Sequence, residues 1–227
     1  AAVAFAAIQL MTDQYFLQET LPERKRKPFV GVSNPFDISR LFTSSKILAI
    51  ATVTMTLHNF IDVKVIADHW NILQRGFLDW TRQQSQMFSS LVGLGFIVGQ
   101  KITAASIDRF GPHGHTTFTH AVTIVANSIM GVFPSSLTMI MSAFASWVAD
   151  QRSYCVKQMA TNIALNTCNF GKGELSGLHA NLRALCTIIG PLFFGWVYRR
   201  GHKAGLQGCT FLVSAILCAL AEWTHRQ

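Results

Sequence analysis

The chain has 227 residues, of which half are apolar or aromatic and only 13% are Asp, Glu, Lys or Arg. A soluble domain is about a quarter charged, so an ordinary wetted surface is excluded, and so is intrinsic disorder, which needs high charge and few apolar residues. Five Cys without a C-x-x-C pair exclude a small disulfide scaffold, and the net charge of +8 does not follow a nucleic-acid surface.

In chain order, residues 1–17 open on an apolar run and read as the tail of a transmembrane helix. Residues 18–45 are charged, carry Pro22, Pro28, Pro35 and the run Arg24-Lys25-Arg26-Lys27, and read as a basic extramembrane linker. Six mainly apolar segments follow, at 46–67, 86–106, 116–133, 135–165, 175–198 and 205–223. Each approaches the ~20 residues that cross a bilayer. No formal charge stands between 111 and 149, where Pro134 marks a turn between two segments. Alternation of a β-barrel type is missing. The expected fold is all-α: an integral membrane bundle of six transmembrane helices over 46–227, preceded by the helix tail and the linker.

Basic residues near helix ends set the expected orientation. One side collects the Arg24–Lys27 run with Arg40, Lys46, Lys101, Arg109, Lys172 and Arg226; the other has Arg75, Arg82, Arg199, Arg200 and Lys203. The linker and the C-terminus are therefore expected on the cytoplasmic side of a plasma membrane, or the stromal or matrix side of an organellar one.

Two motifs carry a resemblance. The first is Ala104-Ala105-Ser106-Ile107-Asp108-Arg109-Phe110-Gly111, at the end of the second segment. It resembles the G-x-x-x-D-R-x-G loop signature of the major facilitator superfamily, with Ala104 in place of the leading Gly and Pro112, His113 and Gly114 where basic residues are usual. The second is Gly173-Glu174-Leu175-Ser176-Gly177, then Leu182-Arg183-Ala184-Leu185, then Ile188 to Tyr198 with Gly190-Pro191 inside. It is similar to the eleventh helix of tetracycline-efflux-like drug/proton antiporters of that superfamily. Glu19-Thr20-Leu21-Pro22-Glu23 resembles the exit from their sixth helix. The resemblance implies the C-terminal six-helix half of a twelve-helix transporter, with Asp108, Arg109 and Gly111 as a conformational latch. The fourth segment departs from the family, because Ala149 to Lys157 is charged and lacks Gly and Pro.

Charges inside a span are costly and must face a cavity, a partner or the headgroups. The candidate cavity residues are His58, Asn59, Asp62, Asp150, Arg152 and Arg183; a charge pair that only flanks the membrane, or an unwound or partner-paired turn, is the competing account. Gly95-x-x-x-Gly99 is a small-residue spacing that lets two helix backbones approach, and Gly190-Pro191 is expected to bend the fifth span. His58 with Asp62 at i+4 suits a hydrogen-bonded pair as well as two metal ligands, while His120 and His179 have no ligand type at i+3 or i+4. No metal site, enzyme chemistry or nucleic-acid partner is expected. The expected function is proton-coupled efflux or exchange of a small solute across a bilayer, this chain pairing with an N-terminal six-helix half. The alternative is a non-transporting, transporter-derived subunit held by partner membrane subunits in an energy-converting organelle. No cofactor is expected under the first reading; pigment or lipid ligands belong only to the second.

Overall fold

The computed structural model describes residues 35–61, 63–149, 152–168 and 170–227. The expected helix tail at 1–17, the linker up to 34, and Asp62 and Asp150 lie outside the described residues. Among those described, the chain is helical throughout and holds no strand. A 3-10 turn at Pro35–Ser39 leads into α1 (Arg40–Thr43), α2 (Lys46–Ile61) and α3 (Val63–Gly76). Then follow α4 (Arg82–Val132), α5 (Ser136–Ala149), α6 (Arg152–Thr167), α7 (Lys172–Lys203) and α8 (Cys209–His225).

The longest helix is not one rod. Straight, its 51 residues would extend roughly 76 Å. Gly111 interrupts it with φ 71° and ψ 170°, a left-handed φ that a residue with a Cβ rarely adopts. Pro112 follows at the first position of the new arm, where its missing N–H costs nothing. The chain turns back on itself there. His115 is hydrogen-bonded to Ser106 Oγ across the turn at 3.0 Å. Phe88 from the first arm and Met130 from the second share one apolar cluster with Trp70, Leu73, Met139, Ala143 and Phe211. The arms, residues 82–110 and 112–132, are roughly 43 and 31 Å long, and they overlap the second and third expected segments.

The compact unit begins at Pro35, not at Lys46, so the last part of the expected linker belongs to the bundle. The reason is Leu41. It is fully buried in a second apolar cluster with Leu48, Met55, Val156, Leu175 and Leu178, drawn from α1, α2, α6 and α7. Glu174 fixes the start of α7 by accepting from the Gly171 N–H at 3.3 Å and pairing with Arg40 of α1. A carboxylate in a first helical turn is also favoured by the helix dipole. The fourth expected segment is helical on both sides of 150–151, which lie outside the described residues, as α5 before them and α6 after. Gly190 is buried, and α7 stays helical through Pro191.

Among the described residues, only α4 and α7 are long and apolar enough to cross a membrane, and just 17% and 22% of their most apolar windows are buried. The core helix of a soluble protein would be mostly buried. Here Leu94, Ile97, Val125, Ile129, Ile188 and Leu192 are exposed instead. Exposed apolar side chains on this scale are the kind that mark a membrane or protein contact.

Glycines permit the closest crossings. The Trp147 indole of α5 lies on Gly95 and donates from Nε1 to the Leu91 carbonyl at 3.2 Å. A Cβ at Gly99 would collide with the Trp147 carbonyl, and one at Gly208 with the backbone of Gly131. Gly93 on the same arm has open space around it. Gly99→Leu is therefore expected to cost about 1–3 kcal/mol by overpacking, while Gly93→Ala keeps or raises stability. Thermal unfolding of both variants in the same detergent decides this, and equal melting points would contradict the close crossing.

Candidate functional site

The polar interior starts on the second arm of α4. Thr116, Thr119, His120, Thr123 and Asn127 recur at helical spacing and all are buried, so this arm turns a polar stripe inward. Each Thr hydroxyl is satisfied by the backbone one turn earlier. His120 has no such local partner. Its ring reaches two other helices.

His58 of α2 is fully buried, and its Nε2 lies 2.6 Å from His120 Nε2. His120 Nδ1 lies 2.6 Å from Glu222 Oε2 of α8, and the other carboxylate oxygen accepts from Arg226 Nε at 2.6 Å. The chemistry fixes the donors. An ionised Glu222 only accepts, so His120 Nδ1 carries the proton. The neutral His120 ring then accepts at Nε2, so His58 donates from its own Nε2. This leaves His58 Nδ1 as a bare acceptor, and that atom is buried without a hydrogen-bond partner. Cys218 closes the cluster by donating its thiol to the His120 carbonyl at 3.7 Å.

A hydrogen-bonded contact of 2.6 Å leaves no room for a metal between the two rings, since an ion would need about 2.0 Å from each nitrogen. No group of three or more His, Cys, Asp or Glu among the described residues could hold one. Beyond the end of the sixth expected span, His225 stacks on His113 with ring centroids 4.0 Å apart. Burial, with the His113 ring second, holds His225 below the ordinary histidine range.

One helical turn from the histidine pair lies a cavity of about 50 Å³, bordered by Ile61, Trp70, Thr123, Asn127, Ser146 and Arg152 among others. It can take a few waters or a small polar group. Arg152 is only 6% exposed and donates from one terminal nitrogen to Thr123 Oγ1 at 3.0 Å. Its Nε has no partner, nor have Trp70 Nε1 and Asn127 Nδ2. The Ser142 and Ser146 hydroxyls are turned to backbone carbonyls of their own helix. The cavity therefore offers unused N–H donors, and no described carboxylate borders it.

The expected site residues divide accordingly. Arg152 borders the cavity, and His58 stands in the buried chain beside it. Asn59 is half-buried on α2 and Arg183 is exposed on α7; neither borders the cavity. Asp108 and Arg109 are exposed at the end of the first arm of α4, where the Arg109 guanidinium lies over the Phe110 ring at 5.4 Å. Gly111 forms the turn. Glu222, Trp70, Thr123 and Asn127 had not been singled out. The stripe from Thr116 to Asn127 was the available signal for two of them. No family model, curated protein or solved structure matches this chain.

Removing the acceptor at the centre of the chain leaves His120 Nδ1 and Arg226 without a partner. Glu222→Ala is expected to cost about 1–3 kcal/mol. Arg226→Ala, at an exposed position, is expected to cost under about 1 kcal/mol. Denaturation of the two variants in one detergent measures the difference, and an equal loss would show that the buried half of the chain contributes nothing.

Proposed function

We propose that this chain is one six-span half of a multi-pass membrane transporter of the major facilitator type, which moves a small solute in exchange for protons. The observation that carries the proposal is the Arg152 cavity. A buried guanidinium with one unused donor of its own and unused donors on two surrounding side chains is expensive in an apolar bundle, by about 2.5–3.5 kcal/mol for the charge alone. A binding role accounts for such an expense. The solute group that fits is rich in acceptors, such as a carboxylate or an enolate oxygen, held by Arg152, Asn127 and Trp70. No bond-making step is proposed.

Contacts at the two ends of the bundle support six spans. At one end Trp80 bonds Ser136, and Gly131 meets Gly208. At the other Arg40 pairs with Glu174, and His113 stacks on His225. These pairings follow if 46–76, the two arms of α4, α5 with α6, α7 and α8 alternate in direction. On this reading Asp108 and Arg109 stand at the end that carries the linker and the C-terminus, free to engage the other half as a latch. The departure of the fourth segment favours the second reading, a transporter-derived structural subunit.

Two labelling experiments test the proposal. Single cysteines at Asp79 and Lys203 should react from one face, and those at Asp108 and Gln227 from the opposite face. Asp79 and Asp108 on the same face would overturn the six-span arrangement. Ser146→Cys, at the cavity wall, should react with a water-soluble methanethiosulfonate from one face. A folded variant that stays unreactive from both faces would favour the structural subunit.

A further inference from the structure

We propose that His58, His120 and Glu222 form a reversible one-proton relay between the Arg152 cavity and the exposed C-terminal edge of the bundle. The proposal stands on the hydrogen-bonded chain itself and holds whether or not the chain transports a solute. Three features carry it. The chain is continuous across three helices, with both links at 2.6 Å. Its inner end, His58 Nδ1, is buried and unpartnered, one turn from Ile61 of the cavity wall. Its outer end, Glu222, is 14% exposed and bonded to Arg226, whose side chain is 64% exposed.

The proton balance is complete. A proton arriving at His58 Nδ1 makes the ring cationic, and the ring passes its Nε2 proton to His120 Nε2. His120 in turn passes its Nδ1 proton to Glu222, which releases it at the exposed edge. One proton has entered and one has left, and both rings now hold the opposite tautomer. In that state His120 donates from Nε2 to His58 Nε2, and His120 Nδ1 is free to accept. A proton captured by Glu222 from outside then runs the sequence backwards and restores the first state. Each passage thus readies the chain for the opposite one, and rotation of both rings is the other way to reset it.

The groups that act on this chain come from each helix packed around it. Among the described residues they are Arg152 of α6, His113 of α4, and Cys218, His225 and Arg226 of α8. Arg152 stands at the inner end and Arg226 at the outer. The two cations bracket the relay and keep an added proton from resting at either terminus. A merely structural polar cluster would have no need of a buried, unpartnered ring nitrogen at its end.

The test reads proton exchange on the protein itself. The full chain is reconstituted in bilayers with 15N-labelled histidine, and magic-angle-spinning NMR resolves the eight histidines. At neutral pH the expected spectrum shows His120 protonated at Nδ1 and an N–H···N coupling between the Nε2 atoms of His58 and His120. Glu222→Gln still accepts from His120 but cannot carry a proton, so exchange of both rings with water should slow at least about tenfold. His58→Asn removes only the inner end and should leave exchange at His120 unchanged. Glu222→Asp restores an acid and should restore exchange, which separates loss of the relay from loss of the fold. Exchange at the wild-type rate in Glu222→Gln, or no recovery in Glu222→Asp, would overturn the relay. Equal slowing at His120 in His58→Asn would overturn it as well. No solute is present in these measurements. A failed relay leaves the transport reading standing, and an absence of solute flux leaves the relay standing.

Discussion

The reversal at Gly111 is the constraint on which the rest of the molecule depends. A helix of 51 residues is far longer than the ~30 Å hydrocarbon layer and has nothing to pack against over its full length. Folding it at one glycine converts it into two antiparallel arms, each long enough to cross the layer. The first arm then carries Gly95 and Gly99 to the Trp147 face of α5. The second arm brings His120 against His58 and Glu222, which are 62 and 102 residues away. A side chain at position 111 would oppose the left-handed φ, and with it the geometry of both packing surfaces. Pro112 reinforces the turn, since it cannot donate the backbone bond that would continue the first arm.

Much of the bundle was legible because apolar length and charge placement are local properties. The uncharged stretch from 111 to 149, with Pro134 inside it, marked two helices and the turn between them. The D-R-x-G run read as the loop between the second and third segments, and the reversal at Gly111 falls inside it. Arg152 stood out because it follows a long apolar stretch, and it is buried on a cavity wall. What stayed hidden depends on distance in sequence. His58 was read against Asp62, four residues on, whereas its partner is His120. Glu222 lies near the C-terminus among polar neighbours, where a carboxylate looks like an ordinary membrane flank. Leu41 lay in a stretch whose charge and prolines read as linker, and its burial depends on α2, α6 and α7 meeting around it.

Small and polar side chains share the interior by a simple rule. Helices that gain little from hiding apolar groups in lipid associate through close contact and through hydrogen bonds. Glycine supplies the contact at Gly95, Gly99, Gly131 and Gly208. Threonine is tolerated because its hydroxyl can turn to a carbonyl one turn earlier, as Thr116 and Thr123 do. Histidine and arginine cannot satisfy themselves in this way. His120 and Arg152 must therefore find partners on other helices, and those partners tie α2, α4, α6 and α8 together at one level.

Arg152 is the element common to the cavity and to the proposed relay. Its guanidinium is bonded to Thr123, one turn from His120, and its charge acts on both His58 and His120. An acceptor group bound in the cavity would offset that charge and change how readily the inner histidine holds a proton. The effect must run both ways, because a coupling free energy between two sites is reciprocal. A proton on His58 would then strengthen the hold on an anionic group beside it, and its departure towards Glu222 would weaken that hold. On the proposed reading, solute and proton would be linked through a single buried cation, with no need for a moving part between them. The separation of the two sites by one helical turn makes that linkage short-ranged, in an interior where water does little to screen it.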